Sequence, residues 1–127
     1  MDETEIYGPV YALVRAVPAG KVVTYGQVAG LLTAVSVTAR QVGTAMRYAP
    51  PDVPWQRVVG AGGKLPIAKL GPELQEKQRR LLEGEGVAFK STSDTVEMAR
   101  HQWRYEEMET GDLFGAALVE ADGAEEV

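Results

Sequence analysis

Apolar residues recur along the first part of the chain at a helical spacing. Ile6, Val10, Leu13, Val14 and Val17 share one face of a helix over residues 5–17, and Pro18-Ala19-Gly20-Lys21 breaks it. Two capping boxes follow. In Thr24-Tyr25-Gly26-Gln27 a threonine hydroxyl can cap a helix start while the glutamine three residues on reaches back, and Thr38-Ala39-Arg40-Gln41 repeats the device. They predict two short helices, 25–34 and 39–48, joined by Val35-Ser36-Val37 in the order of a helix-turn-helix. The second helix sorts by face. Val42, Ala45, Met46 and Ala49 fall inward, whereas Arg40, Thr44 and Arg47 fall outward with Gly43 beside them.

Pro50-Pro51 ends that helix. Arg57-Val58-Val59, a turn over Gly60–Gly63 and Lys64-Leu65-Pro66-Ile67 read as a small β-hairpin wing, with Pro66 confining the second strand to an edge. Gly71-Pro72 opens a further helix, with Leu74, Leu81 and Leu82 expected inward and Gly84 or Gly86 as its stop. Val87-Ala88-Phe89 suggests a short strand, and residues 94–105 a short helix or turn carrying Trp103. The expected fold is mainly α, a small winged helix-turn-helix-like domain over residues 1–105. Residues 106–127 read as an acidic, flexible tail.

At 127 residues and 45% apolar composition the chain suits one globular domain. It has no apolar run near the ~18 residues of a membrane helix, and its acidic start, MDETEIYG, is unlike a signal peptide. A soluble cytoplasmic protein with no membrane partner is expected. The absence of cysteine excludes disulfides, thiolate metal sites and thiol catalysis, and a lone His101 cannot make a multi-histidine site. No metal or cofactor is expected.

The net charge of −5 hides a segregation. Residues 15–80 hold ten basic and three acidic side chains, whereas residues 91–127 hold two basic and ten acidic ones. A basic body with an acidic tail points to nucleic acid as a candidate partner. A solvated surface with a solubilising tail has the same composition.

Four segments in order, VPAGKVVTYGQVAGLL, ARQVGTAMRYAP, PWQRVVGAGGKL and KQRRLLEGEGV, resemble the C-terminal domain of the O6-alkylguanine-DNA alkyltransferases over about residues 5–90. In that family the central loop reads Pro-Cys-His-Arg-Val, and its cysteine takes an alkyl group from guanine O6. Here Trp55 stands at the cysteine position and Gln56 at the histidine position. An indole is no substitute for a thiolate, so alkyl transfer is excluded chemically. The chain is instead similar to the alkyltransferase-like branch, in which Pro-Trp-His-Arg-Val replaces the cysteine motif; Gln56 departs from that pattern too.

The resemblance implies a non-enzymatic, monomeric sensor of O6-alkylguanine in double-stranded DNA, nucleoid-associated when bound, which flags lesions for nucleotide excision repair proteins. It casts Arg40 as a finger filling the base stack where a nucleotide has been flipped out, and Tyr25 as the phosphate-side residue that helps rotate it. Gly43, Thr44 and Arg47 complete a DNA-binding face in the minor groove. Val53, Pro54 and Trp55 shape the lesion pocket, with Leu65 and Lys69 from the loop over it, and Arg57 braces the turn. Two other functions also fit the residues: a general helix-turn-helix DNA-binding protein without lesion preference, and a protein-interaction module using the acidic tail.

Overall fold

Thr24 and Thr38 each start a helix by the same local exchange. Thr24 Oγ1 accepts from Gln27 N at 2.9 Å while Gln27 Oε1 accepts from Thr24 N at 3.3 Å. The Thr38–Gln41 pair repeats this at 3.1 and 2.9 Å. Each box satisfies two amides that a helix start leaves without partners. A computed structural model describes residues 3–32, 35–91 and 93–104, except for the side chains of residues 3–4 and 67–70. The expected tail, 106–127, lies outside the described residues.

The helices are α1 (Glu3–Ala16), α2 (Tyr25–Leu31), α3 (Ala39–Arg47), α4 (Ile67–Gly84) and α5 (Met98–His101). Strands β1 (Val23–Thr24) and β2 (Val58–Val59) and two 3-10 turns, Trp55–Arg57 and Ala61–Gly63, lie between them. The mainly α, helix-turn-helix expectation holds, and the first three helices end within three residues of their expected bounds. Gly71, at φ 81°, interrupts α4 just before Pro72, a backbone conformation that glycine reaches without strain.

The small sheet differs from the expected hairpin. A backbone bond from Gly60 N to Lys64 O, at 2.8 Å, does close the turn. But Ala61–Gly63 coils as a 3-10 turn and the chain enters α4 at Ile67, leaving no length for a second strand against Val58–Val59. Instead β2 pairs in parallel with β1, Val23 opposite Val58 and Thr24 opposite Val59. Lys64 bridges to Thr95, and Phe89 to Val96, both antiparallel; the expected strand at 87–89 is only this bridge.

The parallel pair divides the core. Side chains alternate between the faces of a strand, so the partners Val23 and Val58 enter one apolar cluster with α1, α2 and α3. Val22 and Val59 enter a second cluster with Leu65, Leu82, Val87 and Val96. Gly63 sits at the seam of the second: a Cβ there would meet Val96 O and Met98 Cγ at 2.8 Å.

The face expected for α4 needs correction. Leu82 is buried, but Leu74 and Leu81 are 42% and 38% exposed. The residue one turn before Leu82 on the inner face is Gln78, fully buried. Two backbone carbonyls occupy it, Gln56 O at 3.1 Å and Val58 O at 3.0 Å from Nε2. A polar residue holds the inward position because α4 must pair with exposed backbone there, and this rotates the two leucines toward solvent.

Candidate nucleic-acid interface

Helix α3 is anchored by its inner face. Val42, Ala45 and Met46 are buried, and Tyr11 from α1 donates its hydroxyl to Ala45 O at 2.9 Å. Arg40 and Arg47 are therefore carried on the exposed face, with Gly43 and Thr44 half-buried between them. Thr44 Oγ1 donates to Arg40 O at 3.3 Å. Neither arginine pairs with an acidic group among the described residues. Two free guanidiniums flanking small residues form a surface that a phosphate backbone can approach closely. Tyr48, at the C-cap of α3 and 64% exposed, continues the line Arg40–Thr44 by one more turn. Its exposure was not anticipated from sequence, where it falls between the helix and Pro50-Pro51.

The parallel strand pair links Tyr25 and the tryptophan turn through one core. Strand β1 runs directly into Tyr25, whereas β2 follows directly from Trp55–Arg57, so the two lie beyond opposite ends of the paired strands. Tyr25 and Trp55 are each half-buried and pack against the same apolar cluster. Burial pushes the Tyr25 phenol up to about 12, so it is a neutral hydrogen-bonding group at physiological pH. Trp55 N donates to Val53 O at 2.8 Å and Arg57 N to Pro54 O at 3.0 Å. These bonds tighten the turn, and Trp55 keeps part of its surface in solvent.

A polar clamp holds that turn from behind. Arg57 donates from Nη1 to Val17 O at 2.8 Å, which ties it to the end of α1. Its Nε and Nη2 meet Glu85 Oε1 and Oε2 at 3.1 and 3.0 Å, a two-pronged pair whose side chains are only 18% and 16% exposed. Gln56 Nε2 donates to the same carboxylate, Glu85 Oε2, at 2.8 Å. Gln78 completes the clamp through Gln56 O and Val58 O. Glu85 and Gln78 were not singled out in the sequence. Only the position of Gln78 four residues before Leu82 could have signalled an inward role.

Other expected pocket residues are placed differently. Val53 is 1% exposed and belongs to the first cluster, and Leu65 is 4% exposed in the second. Both are core side chains with little surface left for a ligand. Pro54, half-buried, leads the tryptophan turn. The side chain of Lys69 lies outside the described residues. Among the described residues no group of three or more histidine or carboxylate side chains could hold a metal ion. No described helix is long and apolar enough to cross a membrane.

The arrangement has a face for DNA and a rigid aromatic turn, and the chain has no thiol. Comparison with known proteins gives the lineage. The family model described as the DNA binding domain of 6-O-methylguanine DNA methyltransferase matches residues 5–87. The "DNA base-flipping protein" of Escherichia coli K12 is 40% identical over 98 residues, covering 76% of this chain and 72% of that protein. Alkyltransferase-like protein 1 of Schizosaccharomyces pombe is 40% identical over 95 residues, covering 73% and 86%. A crystal structure of S. pombe Atl1 with damaged DNA containing O6-carboxymethylguanine superposes with a TM-score of 0.69 at 34% identity, over 82% of this chain and 99% of that one. The match over residues 5–87 and the relatives at 40% identity establish the lineage: the chain belongs to the 6-O-methylguanine DNA methyltransferase DNA-binding domain family.

Proposed function

We propose that the protein is a non-enzymatic sensor of O6-alkylguanine in duplex DNA, which turns the damaged nucleotide out of the stack and holds it without repair. The observation that carries this reading is Trp55. It is half-buried on a turn clamped by Arg57, Glu85 and Gln78, in a chain with no cysteine, and the resemblance of its loop assigns it the place of the repair enzymes' reactive cysteine. Two relatives are named for base flipping and for likeness to alkyltransferases, and a structural neighbour was crystallised on a lesion duplex.

The roles follow from what each side chain offers. Trp55 presents an aromatic face to the flipped base, a contact worth about 1–3 kcal/mol. Arg40 enters the vacated stack, where a planar guanidinium both stacks and donates hydrogen bonds. Gly43, Thr44 and Arg47 seat α3 on the backbone in the minor groove, whose sequence-poor readout suits a sensor that works in any context. Tyr25, neutral and held by packing, presses on the phosphate beside the flipped nucleotide. Pro54 fixes the entry to the turn, and Lys69 is assigned to the loop over the pocket by the family resemblance. Val53 and Leu65 support the pocket from the core behind it. The bound complex acts as a monomer and flags the site for nucleotide excision repair proteins. It is cytoplasmic, gathered on the nucleoid when it holds DNA.

The test is binding to one duplex carrying a single O6-methylguanine and to its guanine twin at one stated near-physiological salt. At least tenfold tighter binding to the lesion supports the reading. Equal affinity overturns it and leaves a DNA-binding domain without damage preference.

A further inference from the structure

Three large apolar side chains are exposed among the described residues, Tyr48, Leu74 and Leu81, and two of them lie on α4. Leu74 and Leu81 are seven residues apart, so they stand two turns from each other on one face. Lys77 and Arg80 flank them, both exposed and neither paired with a described acidic residue. With Glu73 these four side chains line one surface hollow. The adjoining side of the helix is already occupied, by Leu82 in the core and by Gln78 on the backbone of the tryptophan turn. An apolar stripe gains nothing from a phosphate backbone, which is recognised by charge and hydrogen bonds. It fits an apolar segment edged with acid groups.

We propose that this face is the docking site of the chain's own C-terminal segment, residues 105–127. That segment carries eight acidic residues and no lysine or arginine. Its leucines and its phenylalanine are gathered with Val119 over 113–119, at Leu113, Phe114 and Leu118, with Asp112 and Glu120 at either side. The leucines of α4 take the apolar cluster, and Lys77 and Arg80 take the flanking carboxylates. The segment leaves from a fixed point: Trp103 is buried in the core, and its amide donates to Val22 O at 2.9 Å. Val22 packs in the same cluster as Leu82, the neighbour of Leu81. Residues 105–112, as eight residues of extended chain, reach about 26 Å from that point. The tether also makes the contact intramolecular, so modest contacts suffice to populate it.

The alternative resting place for an acidic segment is the arginine face of α3. That face offers charge without an apolar stripe of its own apart from Tyr48, and charge contacts alone fade at physiological salt. Docking on α4 leaves Arg40 and Arg47 open. This inference is independent of the lesion-sensor reading and survives its failure.

The 127-residue chain has no cysteine, so Ala121→Cys supplies a unique site for a nitroxide spin label. Amide signals of residues 73–81 should lose more than half their intensity relative to the reduced label at 150 mM salt, independently of protein concentration. The loss should disappear in Leu74→Ser/Leu81→Ser of the same chain and weaken in Lys77→Glu/Arg80→Glu. Both pairs are exposed and leave the core intact. Broadening over residues 40–48 instead overturns the proposal in favour of a segment laid over the arginine face. Broadening spread evenly, dependent on concentration, or unchanged in both variants overturns it as well.

Discussion

Gln56 donates to Glu85 Oε2 at 2.8 Å, and the same oxygen accepts from Arg57 Nη2 at 3.0 Å. One carboxylate from the end of α4 thus fixes two consecutive residues of the turn that displays Trp55. Gln56 is a neutral amide that cannot act as a base, and the bond it makes serves to orient the turn.

Glu85→Ala leaves the Arg57 guanidinium, 18% exposed, without its partner. Removing one member of a shielded pair costs more than the pair contributes, and a loss of about 2–3 kcal/mol is expected in urea unfolding. Glu85→Gln keeps an acceptor for Gln56 and should lose less. A loss below about 0.5 kcal/mol for the alanine variant would show that the clamp is incidental.

Gln78→Leu tests the other half of the clamp. The carbonyls of Gln56 and Val58 lose their donor in a region with little water, at a cost of roughly 1–3 kcal/mol despite the added apolar surface. Thermal denaturation should show a clear drop in Tm. A variant as stable as the parent would mean that the two carbonyls find other partners.

These two residues also show where sequence reading stops. Thr24–Gln27 and Thr38–Gln41 were legible because a capping box is closed within four residues. The sorting of α3 into Val42, Ala45 and Met46 inside and Arg40 and Arg47 outside was legible because one helix period decides it. The pairing of Val23 with Val58 joins residues far apart in the chain, and no local pattern encodes it; a glycine-rich turn suggested the nearer partner. Leu74 and Leu81 were expected inward because apolar periodicity counts only apolar residues, whereas the inward position belongs to Gln78. Glu85 escaped for the same reason as the strand pair, since its partners are 28 and 29 residues away.

Arg47 supplies a phosphate contact in the proposed complex, and the salt dependence of binding reports it. Arg47→Ala should weaken lesion and guanine duplexes alike and reduce the slope of log K against log salt by about 0.9. Titrations at several salt concentrations measure this. An unchanged slope would take Arg47 off the DNA.

Tyr25 predicts a signature in alkali. Its phenol ionises at about 12 in the folded protein, raised by burial, against about 10 in an unfolded chain. The unfolded state therefore releases the proton first. The stability that depends on this neutral phenol is intact below pH 10 and lost as pH climbs from 10 toward 12, at up to about 1.4 kcal/mol per unit. Tyr25→Phe should fall less steeply than the parent over that range in urea unfolding. Parallel curves would show that the phenol is not buried as described.

Whether Trp55 reads the lesion is decided by a cycle of four affinities. Parent and Trp55→Ala are each titrated with an O6-methylguanine duplex and its guanine twin at one fixed salt. The parent should prefer the lesion at least tenfold, and the alanine variant should lose most of that preference while still binding the guanine duplex. An equal loss on both duplexes, with the ratio intact, would contradict this and leave Trp55 as a structural part of the turn.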